Sequence, residues 1–70
     1  MKSICAIVSG RVIQCLRLEG DQVQPGDEVL KIESMKMEIP VETEISGCIA
    51  KWLVKEGDDV QEGQVVAELS

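Results

Sequence analysis

The sequence predicts an all-β domain, a sandwich or barrel built from two similar halves about a quasi-two-fold axis. Three observations predict it: the chain repeats itself without a gap, its apolar content is largely β-branched, and turn signals interrupt it every few residues. The segment "SGRVIQCLRLEGDQVQPGDEVLKIE", residues 9–33, lies over "SGCIAKWLVKEGDDVQEGQVVAELS", residues 46–70, with ten identities in twenty-five positions. The identical pairs are Ser9/Ser46, Gly10/Gly47, Leu16/Leu53, Glu19/Glu56, Gly20/Gly57, Asp21/Asp58, Val23/Val60, Gln24/Gln61, Gly26/Gly63 and Val29/Val66. A unit too short to bury its own apolar face must pack against its copy, which is the origin of the predicted axis. Phenylalanine, tyrosine and histidine are absent and Trp52 is the only aromatic residue, so valine, isoleucine, leucine and alanine fill the core. Such residues suit a pleated, half-buried surface. A chain of 70 residues makes one small domain, and domains near this size bury only about 60 % of the surface that the unfolded chain exposes.

The elements follow in order. An opening strand is predicted over Ser3 to Val8. Each copy then reads Ser-Gly, an apolar strand (Val12 to Leu16, Ile49 to Leu53), and a Glu-Gly-Asp turn in which glycine supplies a positive φ. A single inward valine follows (Val23, Val60), then a second turn at Pro25-Gly26-Asp27 or Glu62-Gly63-Gln64, and a closing strand (Val29 to Ile32, Val65 to Leu69). Between the copies a strand is expected over Met37 to Glu42. Pro40 cannot donate a ladder hydrogen bond and confines that strand to an edge or to an outward-facing proline. A long helix would have to run through a glycine every few residues, and none is predicted.

Composition removes several function classes. The lack of histidine, and three cysteines (Cys5, Cys15, Cys48) with no Cys-x-x-Cys spacing, take away the usual zinc ligand sets and the commonest general base. The cysteines read as reduced thiols in the core or in strands, not as a disulfide framework. A net charge of −6 argues against nucleic acid and anionic membrane surfaces as partners. No apolar run approaches a membrane span and no signal-peptide h-region opens the chain, so a cytoplasmic location is expected.

One stretch breaks the local rules. "ESMKMEIPV", residues 33–41, joins the last strand of the first copy to the strand leading into the second, and places Lys36 at a hairpin tip. The repeat puts the equivalent point of the second copy at Ser70, at the opposite end of the domain. Tight two-residue hairpins favour asparagine, aspartate or glycine, because φ is positive at their centre. This one offers Met35-Lys36 instead, with Met37 following. A local violation without structural gain is where function is sought. A lysine at a protruding tip is charged at neutral pH and a poor nucleophile, so it is badly placed to catalyse and well placed to be presented to another enzyme for modification. Lys2, Lys31, Lys51 and Lys55 lack this setting and read as solvated surface charges. The residues alone reach a protruding, modified lysine.

At this point the whole chain resembles the biotinyl/lipoyl attachment domains, and most nearly the free-standing, single-domain attachment proteins of bacteria. The carrying motif is "ESMKMEIPV", similar to the Ala-Met-Lys-Met attachment signature, with the "SG", "EGD" and "GQ" elements in the expected order. The resemblance implies a flattened β-barrel of two four-stranded antiparallel sheets with quasi-two-fold symmetry, a barrel-sandwich hybrid, formed as one attachment domain over residues 1–70. It implies that Lys36 receives biotin in amide linkage from a biotin protein ligase, with Met35 and Met37 as the marks the ligase recognises. It further implies a non-catalytic swinging arm, which carries a carboxyl group from biotin carboxylase to the carboxyltransferase of a multisubunit, acyl-CoA carboxylase. A lipoyl carrier for a 2-oxoacid dehydrogenase-type system, loaded with lipoic acid by a lipoyl ligase, or an acceptor of both groups, remains open as the alternative. So does an unmodified interaction domain. Two departures stand out. Ser34 replaces the commoner alanine, and the gap from Glu19-Gly20-Asp21 to Pro25-Gly26 is too short for the protruding thumb of some acetyl-CoA carboxylase carriers. The chain also holds no carboxylase domains, so partner enzymes are expected on separate polypeptides.

Overall fold

Eight strands and no helix make up residues 2–70, the part of the chain that the computed structural model describes. They are β1 (Lys2–Cys5), β2 (Gly10–Cys15), β3 (Gln22–Val23), β4 (Glu28–Ser34), β5 (Met37–Glu42), β6 (Gly47–Trp52), β7 (Asp59–Val60) and β8 (Val65–Leu69). Two four-stranded sheets result, ordered β1-β8-β6-β3 and β5-β4-β2-β7, with every pairing antiparallel. This is the predicted barrel-sandwich. β5 lies at a sheet edge with Pro40 exposed, as a residue lacking an amide hydrogen requires.

The two halves correspond position for position at the repeat offset, and the correspondence runs further back than the identities do. Buried residues fall into pairs: Ile4/Val41, Ala6/Thr43, Val12/Ile49, Val23/Val60, Val29/Val66, Leu30/Ala67 and Ile32/Leu69. Only Val54 is buried opposite a residue that is not, Arg17. β1 is therefore the counterpart of β5, so that Lys2 pairs with Leu69 as Ile39 pairs with Ile32.

The loop hydrogen bonds repeat too. Ala6 N donates to Gln64 O and Thr43 N to Asp27 O; Gly57 N donates to Val12 O and Gly20 N to Ile49 O. Each Glu-Gly-Asp turn also reaches into the other half. The Glu19 carboxylate accepts from Trp52 N, and the Glu56 carboxylate accepts from Cys15 N, both at 3.1 Å. The halves are thus stitched by hydrogen bonds as well as by the shared apolar core, which compensates for a small buried volume.

Strand ends differ from expectation where tertiary pairing takes over. The opening strand runs Lys2–Cys5, not to Val8. Its register with β8 shifts after Ile4, and Ala6 pairs instead with the 61–64 turn, accepting from Gly63 N. The three cysteines all lie in strands as free thiols: Cys5 is exposed, Cys48 is half-buried, and half-buried Cys15 packs against the core.

Candidate functional site

The β4–β5 hairpin is anchored at its base and free at its tip. Leu30 and Ile32 of β4, and Val41 of β5, are buried, and β4 is held between β5 and β2. The ladder runs outward through Leu30↔Val41, Lys31↔Pro40, Ile32↔Ile39 and Glu33↔Glu38 to a last pair, Ser34↔Met37. Only Met35 and Lys36 remain to turn the chain. Gly10 clamps the same region from β2: a Cβ there would collide with the backbone oxygen of Glu33 and lie 2.8 Å from Ile32 Cγ2. Two strands thus grip β4 immediately below the tip.

Both turn residues are left-handed, Met35 with φ 53° and Lys36 with φ 64°. Positive φ at two successive central residues is the pattern of a type I′ turn, whose twist matches the flanking strands. The other tight turns use glycine for this purpose, at Gly20, Gly26, Gly57 and Gly63. At the tip alone the left-handed region is occupied by residues that carry side chains, at a cost of about 1 kcal/mol each. The geometry throws the Lys36 side chain clear of the sheet and exposes Met35 to 92 % and Met37 to 64 %.

Charge around the tip is predominantly acidic. Glu33 and Glu38 face each other across the hairpin, and Lys31 lies 3.9 Å from Glu38. Among the described residues Lys36 makes no ion pair, and it is exposed. Lys31 joins the Glu38 pair, and Lys2 donates to Ser46 O at 3.0 Å. Lys51 and Lys55 are exposed on the surface of the domain.

Sequence reasoning missed a second feature of this end. Beside β4, an open depression is lined by Ser9, Gly10, Arg11, Glu33, Asp59 and Val60. Arg11 Nε lies 3.8 Å from Asp59 Oδ1, and Arg11 is the cross-strand neighbour of both Glu33 and Asp59. The signal that would have found it is the repeat itself, read for its differences: Cys48, Ser70 and Gln22 occupy the equivalent positions in the other half.

Residues 3–69 match the profile of the biotin/lipoyl family, described as biotin-requiring enzyme. The chain belongs to the biotin/lipoyl attachment family. Among its relatives, the biotin/lipoyl attachment protein of Bacillus subtilis is 53 % identical over 51 residues, covering 73 % of this chain and 70 % of that protein. The biotinylated protein TB7.3 homolog of Mycobacterium leprae is 38 % identical over 69 residues, covering 99 % of this chain and 97 % of the relative. Lipoyl-bearing proteins are related as well. One is the dihydrolipoyllysine-residue succinyltransferase component of the 2-oxoglutarate dehydrogenase complex of Staphylococcus saprophyticus, 32 % identical over 62 residues, with 89 % of this chain and 15 % of that protein covered. In three dimensions the biotin/lipoyl domain is similar to part of the urea carboxylase of Kluyveromyces lactis, with a TM-score of 0.91, 36 % identity, and 99 % of this chain and 6 % of that chain covered.

No helix among the described residues of this biotin/lipoyl domain is long and apolar enough to cross a membrane, and none of its described side chains group into a metal-binding cluster.

Proposed function

We propose that this biotin/lipoyl domain, residues 1–70 as one unit, is a covalent biotin carrier. Biotin is joined through an amide to Lys36 by a biotin protein ligase. The loaded arm moves a carboxyl group between the biotin carboxylase and the carboxyltransferase of a multisubunit carboxylase in the cytoplasm, with an acyl-CoA as acceptor. The observation that carries this reading is the left-handed Met35-Lys36 turn, which presents an unpaired amine between two exposed methionines on a rigid hairpin. Met35 and Met37 offer a soft apolar surface that a ligase clasps on either side of the amine. The chain's own contribution is presentation. It holds the amine outward, leaves deprotonation and acyl transfer to the ligase, and carries the attached ring, which supplies the carboxyl-accepting nitrogen.

The relatedness to lipoyl proteins favours one second reading, in which a lipoyl ligase loads lipoic acid at the same amine for a 2-oxoacid dehydrogenase-type system. One experiment separates the two. The protein is expressed with biotin and lipoyl ligases, and its intact mass and the Lys36 peptide are measured. A biotin increment on Lys36, absent in Lys36→Arg, is the expected result. A lipoyl increment alone replaces the first reading with the second, and an unmodified Lys36 refutes both.

A further inference from the structure

The internal repeat provides a control within the molecule. Residues 9–33 beside the tip have counterparts at 46–70, and a feature of that surface present only at the attachment end calls for an explanation. The depression between β2, β4 and β7 is such a feature. Its counterpart is lined by Ser46, Gly47, Gln22, Val23, Gln24 and Lys2, with the same Ser-Gly floor and the same buried valine. At the attachment end three positions differ in kind. Arg11 stands for Cys48, Glu33 for Ser70 and Asp59 for Gln22, which places a guanidinium between two carboxylates. The one cation of the counterpart, Lys2, is turned onto the carbonyl of Ser46.

The trio adds little to stability. Arg11 and Asp59 are solvent-exposed at 3.8 Å, a separation and a setting in which an ion pair contributes almost nothing. Its side chains are free to take other partners, and its chemistry is specific. Arg11 offers a planar fork of donors, and Glu33 and Asp59 offer acceptors on either side. A cyclic urea carries the matching set, one carbonyl acceptor and two N–H donors. A dithiolane carries neither. Reach is sufficient: Glu33 lies three residues before Lys36, at most about 10 Å at strand rise, Arg11 and Asp59 lie one and two strand spacings of about 5 Å across from it, and an acylated lysine of roughly ten single bonds extends about 12 Å before the ring itself.

We propose that this depression is a resting site for the group carried by Lys36, holding a ureido ring through Arg11, Glu33 and Asp59 and leaving a dithiolane unbound. The proposal rests on biotin attachment at Lys36. It adds that the arm has a bound state on its own domain, and that the two cofactors of the family differ in having it.

The test is a set of ¹H–¹⁵N spectra of the full chain in unmodified, biotinylated and lipoylated form, with occupancy fixed beforehand by intact mass. Attachment of either group shifts residues 34–38. Biotin is expected to shift the amides of Arg11, Asp59 and Val60 as well, and lipoyl is expected to leave them in place. Arg11→Gln, compared with and without biotin, is expected to lose the distant shifts and keep those of the tip; Gln22, Val23 and Cys48 stay fixed throughout. Biotin shifts confined to residues 34–38, equal distant shifts with lipoyl, or their survival in Arg11→Gln would each overturn the resting site while the carrier reading stands. A chain that takes no biotin on Lys36 under ligase overturns both.

Discussion

Met35→Asn should make the domain more stable while making it a poorer substrate for the proposed biotin protein ligase. Met35 holds φ at 53° with its side chain 92 % exposed, so replacing it forfeits no buried contact. Asparagine enters the left-handed region far more readily than methionine, and relief of that strain is worth about 0.5–1 kcal/mol. For a chain of 70 residues the unfolding entropy near the midpoint is roughly 0.15 kcal/mol per degree, so Tm should rise by about 3–7 °C. Met37→Asn is the control. Met37 lies in β5 outside the left-handed region, where asparagine is a poorer strand residue, and the substitution should lower stability by about 0.5 kcal/mol. Thermal unfolding followed by far-ultraviolet circular dichroism gives the shift. Fluorescence of Trp52, the sole tryptophan, checks that the transition is two-state. A Met35→Asn protein with unchanged or lower Tm would refute the claim that the tip stores strain. A Met35→Asn protein biotinylated as fast as the parent would refute the claim that the residue is there for recognition.

Three further predictions test the scaffold. Leu30→Ala empties a fully buried position at the base of the hairpin, opposite a half-core already small at Ala67, and should cost about 2–5 kcal/mol. In a domain this small that leaves much of the protein unfolded at 25 °C by denaturant titration. Gly10→Ala forces a methyl against the Glu33 carbonyl and Ile32, which should lower the urea midpoint and broaden the amide resonances of residues 32–39 in the folded fraction; a neutral effect would mean that the β2–β4 clamp is not tight. Burial, followed by the nearby carboxylates of Glu56 and Asp58, pushes the Cys15 thiol pKa up. A raised pKa leaves less thiolate at a given pH, so at pH 8.5 Cys15 should alkylate with iodoacetamide more slowly than exposed Cys5, as read by peptide mass spectrometry; equal rates would contradict the burial seen here.

Most of the architecture was legible because the repeat converts a thin core into a pattern. The identical glycines mark turns where φ must be positive, and Val23 and Val60 stand alone between turns because each two-residue strand has room for one inward side chain. β1 escaped full recognition as the counterpart of β5 for a physical reason. The two strands share only the inward Ile4 and Val41, with Ala6 and Thr43 matching just beyond their ends, and their outward residues are unrelated. The crossing of Glu19 to Trp52 and of Glu56 to Cys15 was equally hidden. Identity at Glu19/Glu56 indicates a shared role, and only the packed halves show that each glutamate serves the other one. At the site, the hairpin and its odd turn residues were visible in the order Ser-Met-Lys-Met, whereas the Arg11–Asp59 pair was not, since those residues lie 48 positions apart by number and meet through β2 and β7.

Taken together, the places where the halves agree and disagree divide the molecule by role. Inward residues, turn glycines and turn hydrogen bonds repeat, because the same packing and backbone demands act on both halves. Thr43 shows how tightly those demands bind. It is buried opposite Ala6, and its hydroxyl is admitted only because it donates to Ile45 O at 2.7 Å and accepts from Ile45 N, which leaves no polar atom unsatisfied. The strained disagreement, the left-handed Met35-Lys36 turn, lies at one end with the Arg11, Glu33 and Asp59 trio beside it, while other charge differences, such as Lys31/Glu68 and Pro25/Glu62, are spread along the chain. The trio is not required by the fold, since the other half closes around Ser46 and Gly47 without it. A domain with so little core has small stability to give up. Holding Met35 and Lys36 in a conformation that glycine or asparagine would adopt more easily is a standing loss of about 2 kcal/mol. The proposed function accounts for it, because an amine presented outward between two methionines is what a ligase would have to find.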